Sequence, residues 1–469
     1  MAEQSLKDKT AKGLFWGGVS NGVQQILALL FGIFLSRILS PGDYGMVGML
    51  TIFTGFANAL QESGFSAALT NKLDIKHEDY NSVFWFNIVV GIGLYVILFF
   101  SAPLIAVFFD QPDLLWVSRI VFLSFLFGCF GTAQAAYLFK NLMVKERAKI
   151  DIYALLLSNT AALIMALNGM AYWGIAIQGV LYIGLGTFLR WYYSPWRPTF
   201  SFNLQPLREM FPFSARLLLT NLFSQMSTNI FSILLGKFYT VQQVGYYSQG
   251  YKWMNMGGSF ITGMISGVAQ PVFAQVSYEK ERQVQVLRKM IRFTAFISFP
   301  LMFGMALVAN ELILITVTEK WAPCVPILQL LCVWGAFSPI CELYKNIYLY
   351  ANVIFGILQI LLLIMMLPYG ILWMVAAYVL AYLCWLLVWH CFASHLIGVR
   401  LYHVIRDILP YFLITLSVLS CAWWVSFFSG NIYIRFALKI IVSAILYIGI
   451  MWGVKSVIFK ECIGFLWKR

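Results

Sequence analysis

The feature that most constrains this chain is a series of long apolar runs that recurs from one end to the other. A bilayer core of about 30 Å takes about 20 helical residues to cross. Runs of suitable length lie at 13–36, 44–69, 81–101, 114–139, 152–167, 171–189, 211–235, 245–273, 293–308, 323–349, 351–367, 370–397, 408–428 and 432–459. A chain that is 61% hydrophobic and only 11% charged does not suit a soluble fold. The sequence therefore predicts an all-α polytopic membrane protein with about fourteen transmembrane helices.

The lysines and arginines between the spans lie almost entirely on one side of the membrane. The opposite loops hold Arg37, Lys237 and Lys320. By the positive-inside rule the crowded side is cytoplasmic, and an even number of spans places both termini there. Topology also explains the net charge of +13, because the charge is spread over short loops and not gathered in one patch. Nucleic acid is therefore not an expected partner.

No pattern in the sequence predicts a catalytic or metal site. The eight cysteines lie almost entirely within apolar spans and form no CxxC pair, and the four histidines show no ligand spacing. The sequence contains no glycine-rich phosphate loop of the Walker type, which an ATP-driven pump would need in order to bind its nucleotide. A membrane polysaccharide polymerase would need a substantial loop to hold its active site. We expect a protein that is not an enzyme and that binds no cofactor.

An internal repeat appears when the chain is compared with itself at an offset of 200 residues. The segment 35–45 matches 235–245, with Leu35 on Leu235 and Gly45 on Gly245. Upstream, Asn21 falls on Asn221 in the same register, and Gln25 falls on Gln225. Six spans separate the copies, so the repeats are parallel and related by a pseudo-twofold axis along the membrane normal. We predict a six-helix lobe at 1–200, a second at 201–397, and two additional helices with a tail at 398–469.

Polar residues follow one helical face in the first two spans of each repeat. The eighth span carries seven at steps of three or four, namely Ser248, Lys252, Asn255, Ser259, Thr262, Ser266 and Gln270. The other three spans contribute Asn21 and Gln25, Asn58, and Asn221 and Gln225. These stripes predict a shared aqueous cavity between the lobes. The alternative is that single hydroxyl and amide groups join helices by interhelical hydrogen bonds.

Four ionisable residues within the spans are further candidates. Lys252 lies seven residues from the outer end of its span, about 10 Å deep, where it would attract an anionic ligand or pair with a carboxylate. Glu62 is a candidate proton or sodium site, because burial makes its charge switchable. Arg119 and Arg216 join the predicted cavity residues. Both also lie close enough to a membrane boundary to reach the headgroups instead.

Several segments resemble the polysaccharide exporters of the Wzx type, which export O-antigen and related polymers and belong to the MOP exporter superfamily. The resemblance is carried by Gly13–Asn21 (GLFWGGVSN), Leu35–Gly45 (LSRILSPGDYG), Gln61–Leu69 (QESGFSAAL) and Val244–Gln249 (VGYYSQ). It extends over essentially the whole chain, including the two C-terminal spans. One departure lies between Cys341 and Leu367, where the chain passes directly into another apolar stretch in place of a longer polar link.

The resemblance implies a flippase of the bacterial inner membrane. Its substrate would be an undecaprenyl-pyrophosphate-linked oligosaccharide, such as a lipopolysaccharide precursor, moved by alternating access and coupled to a proton or sodium gradient. Membrane lipids and other polysaccharide assembly proteins are the implied partners. A cationic, amide-lined cavity suits a pyrophosphate and sugar hydroxyls. The alternatives are a MATE-like cation or drug antiporter, which would more naturally have an acidic cavity, and a membrane polysaccharide polymerase.

Overall fold

The computed structural model describes residues 2–62, 65–72, 74–275, 280–345, 350–454, 456 and 458–461. Within these ranges the chain is helical almost throughout and contains no strand. It forms two compact units, Met1–Gly245 and Tyr246–Arg469.

The first unit contains ten helices and the start of an eleventh. These are α1 (Ala2–Ile38), α2 (Pro41–Gly48), α3 (Thr51–Glu62), α4 (Phe65–Asn71), α5 (His77–Phe109), α6 (Leu114–Cys129), α7 (Thr132–Lys140), α8 (Val144–Leu167), α9 (Tyr172–Tyr193), α10 (Gln205–Phe238) and α11 (Val241–Gln275). Helix α1 packs on α8, α8 on α9, and α5 on α6.

The second unit holds most of α11 and six further helices. These are α12 (Lys280–Thr316), α13 (Cys324–Lys345), α14 (Tyr350–Met366), α15 (Ile371–Ile397), α16 (Leu401–Phe427) and α17 (Ile432–Gly453). Helix α12 packs against α13, α16 and α17, so it lies at the centre of the contacts in this unit.

The predicted all-α membrane fold is confirmed. Each of the fourteen apolar runs coincides with one helix or with consecutive short helices of the described chain. Nine of the described helices are long and apolar enough to cross a bilayer by themselves. A tenth span is formed if α6 and α7, which meet at a bend of 48°, are counted together. The second run is divided into α2, α3 and α4, and between α2 and α3 the Leu50 N–H bonds to the Val47 carbonyl, a tightened turn.

The segments matched by the 200-residue offset begin their helices in the same way. Ser40 and Asp43 form a capping box at the start of α2, in which the Asp43 N–H donates to Ser40 Oγ at 3.3 Å and the Ser40 N–H donates to the Asp43 carboxylate at 2.8 Å. At the start of α11, the Gln243 N–H donates to Thr240 Oγ1 at 3.3 Å and the Thr240 N–H to Gln243 Oε1 at 3.1 Å. The repeat therefore encodes a helix start as well as a polar face.

The two matched segments also contact each other reciprocally. A Cβ atom on Gly45 would overlap the backbone carbonyl of Val241, and a Cβ atom on Gly245 would overlap that of Pro41. Because Pro41 and Val241 are themselves related by the offset, the contact has local twofold character. Glycine at both positions is required for backbone to pack directly on backbone.

The division into compact units differs in position from the predicted boundary at residue 200, because α10 packs on α3, α4 and α5.

At one end of this contact, Lys72 Nζ lies 2.9 Å from Asp79 Oδ1 on α5 and 3.4 Å from Glu209 Oε2 on α10. The hydrogen bond to Asp79 raises the pKa of the Lys72 ammonium group, and burial opposes that shift. Lys140 donates to the Lys72 carbonyl at 2.6 Å. The lobe boundaries at 200 and 397 remain a prediction.

We predict that Gly45→Ala destabilises the protein and that Gly42→Ala on the same short helix does not. A methyl group on Gly45 would overlap the Val241 carbonyl, whereas a methyl group on Gly42 would meet Ser40 Oγ at an ordinary 3.6 Å. Overpacking of this kind costs about 1–3 kcal/mol of the free energy of unfolding. Thermal unfolding of the two variants in detergent measures the difference. Equal midpoints would show that the two segments separate without cost.

Candidate functional site

The polar residues predicted on α1 and α3 differ in their exposure. Asn21 and Gln25 on α1 are exposed, and Asn58 on α3 is half-buried. Next to them, Gln24 donates to Ser20 Oγ at 2.9 Å, so part of this face of α1 is satisfied within its own helix. The side chain of Glu62, the predicted ion-coupling residue, lies outside the described part of the structure.

The predicted residues of α10 lie at a close contact with α3. Asn221 and Gln225 are both half-buried. A Cβ atom on Gly55 of α3 would lie 2.7 Å from Gln225 Oε1, so the amide packs directly on the α3 backbone. Asn229, one turn further along α10, donates to Gln225 Oε1 at 2.9 Å and fixes the orientation of its amide. The structure therefore brings Gln225 to within one helical turn of the position of Asn58 on α3.

Asn229 was not among the predicted residues. A strict step of four along α10 connects Asn221, Gln225 and Asn229, so the helical period contains the signal that would have found it.

The two predicted arginines of the first unit occupy different surroundings. The guanidinium carbon of Arg119 lies 4.2 Å from the centroid of the Phe99 ring and 5.0 Å from that of Trp116. Trp116 is 59% exposed, so Arg119 joins an aromatic surface on α5 and α6, as expected for a residue near a membrane boundary. Arg216 is exposed on α10. No contact with Asn58 or Gln225 is seen for either arginine among the described residues.

The polar stripe on α11 is satisfied in part by its own helix. Ser259 Oγ donates to the Met256 carbonyl at 3.2 Å, and Thr262 Oγ1 donates to the Gly258 carbonyl at 3.1 Å. These two hydroxyls are therefore satisfied within α11, which requires neither a cavity nor the interhelical hydrogen bonds of the alternative. Lys252 is half-buried and Asn255 is exposed. The side chains of Ser266 and Gln270 lie outside the described residues, so the full stripe of seven stays a prediction.

A row of stacked aromatic rings adjoins Lys252 in the sequence and was not predicted. Tyr251 stacks on Tyr247 and on Trp334 of α13, with ring centroids 6.1 Å apart in both pairs. Trp334 in turn meets Tyr378 and Tyr382 of α15 edge to face, at 5.8 and 5.7 Å. These residues lie on three helices far apart in sequence, so no local pattern reveals them. They form the aromatic core of the second unit beside α11.

An apolar groove of about 1270 Å³ lies between α12, α13, α15 and α16 in the second unit. Its walls include Phe303 and Leu307 of α12, Leu330 of α13, Leu372 of α15, and Leu419 and Trp424 of α16. No group of His, Cys, Asp and Glu side chains suited to a metal ion occurs among the residues that the structure describes.

Comparisons with known proteins point to one family. A family model described as "Polysaccharide biosynthesis protein" matches residues 34–326. The chain is 28% identical to the teichuronic acid biosynthesis protein TuaB of Bacillus subtilis (strain 168), over 71% of this chain and 69% of the relative. It is 25% identical to the lipopolysaccharide biosynthesis protein WzxC of Escherichia coli (strain K12), over 71% of this chain and 68% of the relative.

Two solved structures share the fold. The lipid II flippase MurJ in an inward closed conformation matches with a TM-score of 0.74 at 16% identity, over 95% of this chain and 99% of MurJ. An inward-facing multidrug resistance MATE family transporter of the MOP superfamily matches with a TM-score of 0.62 at 15% identity, over 80% of this chain and 95% of the transporter. The chain therefore shares its fold with both of these proteins.

We predict that Arg119 contributes to stability through its aromatic neighbours. Arg119→Gln should lower the free energy of unfolding by about 0.5–2 kcal/mol, the usual size of a cation–π contact. Phe99→Leu should remove the same contact, so the double variant loses less than the sum of the two single losses. Denaturant unfolding in detergent measures all three, with Arg216→Gln as the exposed control. Additive losses would show that the two side chains do not interact.

Proposed function

Because the chain belongs to the polysaccharide biosynthesis protein family, we propose that it is a flippase for a lipid-linked oligosaccharide. The substrate is an oligosaccharide on undecaprenyl pyrophosphate, and it moves from the cytoplasmic to the periplasmic leaflet of the bacterial inner membrane. The family match from residue 34 to 326 carries this proposal. It is supported by the fold shared with a lipid II flippase over 95% of the chain.

The polar residues suit such a substrate chemically. Lys252 supplies a positive charge for the pyrophosphate, since a charged donor makes stronger hydrogen bonds to phosphate oxygens than a neutral one. Gln225 and Asn221 supply amide donors and acceptors of the kind that sugar hydroxyls use. Lys252 on α11 and Gln225 and Asn221 on α10 are each half-buried. In the proposed cycle these groups, with Asn21, Gln25, Asn58 and Asn255, line the substrate cavity.

Alternating access assigns a role to the contact of Gly45 with Val241 and of Gly245 with Pro41. The positive-inside rule puts this contact on the periplasmic side, next to the loops of Arg37 and Lys237. We propose that the contact closes the periplasmic exit while the substrate enters, and that it opens to release the substrate. A proton or sodium gradient drives the cycle in this proposal, with Glu62 as its binding residue and both termini in the cytoplasm.

A MATE-like antiporter is the second candidate, because a MATE transporter shares the fold with a TM-score of 0.62. The two functions differ in the charge that the cavity must hold. A cationic drug requires acidic groups, whereas the predicted polar face of α11 carries Lys252. This charge favours an anionic substrate.

The proposal is tested by deleting the gene in cells without a redundant transporter. Lipid-linked oligosaccharide should accumulate in the inner leaflet, where glycan-modifying enzymes added to the periplasm do not reach it. Export of labelled oligosaccharide at the normal rate in such cells would overturn the flippase assignment. Loss of tolerance to a cationic drug on deletion, without an effect on glycan export, would support the antiporter.

We predict that Lys252→Gln impairs export while the protein is still inserted in the membrane. The variant loses a charge-assisted contact worth about 1.5–3 kcal/mol, which corresponds to roughly tenfold or more in export at limiting substrate. Lys252→Arg, which keeps the charge, should retain most of the export. Lys280→Gln makes the same chemical change at an exposed position at the start of α12 and serves as the control. Unchanged export in Lys252→Gln would remove this residue from the substrate site.

A further inference from the structure

Several ion pairs of the second unit join α12 to the C-terminal part of the chain. Asp407 of α16 accepts two hydrogen bonds from Arg288, at 2.7 and 3.1 Å, and lies 3.8 Å from Arg292. Lys289 lies 2.8 Å from Glu461, which follows α17. A further pair joins α12 directly to α17. Helix α12 is therefore linked to the C-terminal helices at several points along its length.

The pair between α12 and α17 is the buried one. Lys439 Nζ lies 2.7 Å from Glu311 Oε1, and the two side chains are 8% and 2% exposed. Lys439 also donates to the Leu307 carbonyl at 3.0 Å. Glu311 lies five residues before the end of α12, about 8 Å along the axis at 1.5 Å per residue. Charges at such positions in a transmembrane segment are costly and are usually retained for function.

Two apolar side chains in place of Glu311 and Lys439 would stabilise the folded protein about as well as the ion pair does. Bringing both charges out of water costs several kcal/mol, and replacement of a buried ion pair by apolar side chains of similar volume is often neutral or stabilising. An ion pair instead specifies position. Lys439 meets Glu311 and the Leu307 carbonyl at only one axial and one rotational position of α17 relative to α12. Between helices in lipid the hydrophobic effect offers no such restraint.

A second polar contact restrains the other half of α17. Tyr447 donates to the Phe296 carbonyl of α12 at 2.8 Å, and its ring lies 5.8 Å from that of Phe296. The Phe296 ring also meets Tyr411 of α16 edge to face, at 6.1 Å. Two points along α17 and two along α16 are therefore attached to the same helix. Two attachment points per helix prevent both sliding and rotation.

We infer that Glu311 and Lys439 are positioning residues that keep α12, α16 and α17 together as one body throughout the transport cycle, an inference that rests on the proposed flippase function. The apolar groove described above has walls on α12 and α16, and Leu307 lines it while its carbonyl binds Lys439. In this inference the groove keeps its width while other parts of the protein move, because Arg288 and Asp407 link its walls on α12 and α16 and the Glu311–Lys439 pair holds α17 on the same helix. The C-terminal helices travel with α12 and are not a static frame.

The first test replaces the pair by apolar side chains of similar length, in Glu311→Met/Lys439→Met. The double variant should keep its abundance and its thermal midpoint, because no charge is left unpaired. Its maximal export rate should fall about tenfold, with little change in the substrate concentration for half-maximal export. The reversed pair Glu311→Lys/Lys439→Glu should recover export. Normal export in the apolar variant would overturn the inference and leave the pair a purely structural contact.

The second test uses the accessible pair that joins α12 to the segment after α17. Lys289 and Glu461 have side chains 58% and 50% exposed, so cysteines at both positions can be joined by a short bifunctional methanethiosulfonate, which forms a disulfide with each thiol and is removed by a reductant. If the three helices form one body, the cross-linked protein exports as fast as the reduced one. Loss of export on cross-linking, restored by a reductant, would overturn the inference. A failure of the proposed flippase function appears separately, because the wild-type protein would then export no oligosaccharide.

Discussion

A polar group in hydrocarbon has to find its partner inside the protein, and this constraint organises the whole chain. Helices satisfy the backbone, so what remains are the side chains. Thr262 bonds to a carbonyl of its own helix, Asn229 to the amide of Gln225, and Lys439 to Glu311 on a different helix. The first two bonds each join residues four apart on one helix, whereas the third joins two helices. A residue of the first kind tells little about function, whereas one of the last kind ties together elements that the apolar surfaces alone would leave free to slide.

The repeat shows how far a sequence pattern carries structural information. The offset of 200 residues predicted that Gly45 and Gly245 are equivalent, and the capping boxes at Ser40 and Thr240 show the equivalence at the level of hydrogen bonds. It did not predict that the two copies pack on each other. A comparison of a chain with itself detects likeness but not contact, because contact depends on where the symmetry axis passes. The two glycines lie where backbone from both copies meets.

The fold could be predicted from the sequence, whereas the candidate site could not. Apolar length decides that a segment spans the membrane, and this signal is local, so the fourteen runs agree with the helices. The candidate site depends on residues from different helices. Glu311 lies beyond the ninth apolar run, which ends at Val308, although α12 continues to Thr316, and its partner Lys439 is 128 residues away. Arg119 was predicted to be either a cavity residue or an interfacial one, and its contacts with Phe99 and Trp116 favour the second.

A flippase needs contacts that open easily and contacts that stay closed, and the two kinds differ here in their chemistry. The contact of Gly45 with Val241 and of Gly245 with Pro41 consists of backbone against backbone, where each atom pair contributes only about 0.1–0.2 kcal/mol and separation breaks no ion pair. The contact between Glu311 and Lys439 is the opposite case. Separating it would leave two ions in a medium of low dielectric constant, at a cost of several kcal/mol for each. In the proposed cycle, helices therefore separate where only dispersion contacts have to be broken, and the buried charges of Glu311 and Lys439 stay paired.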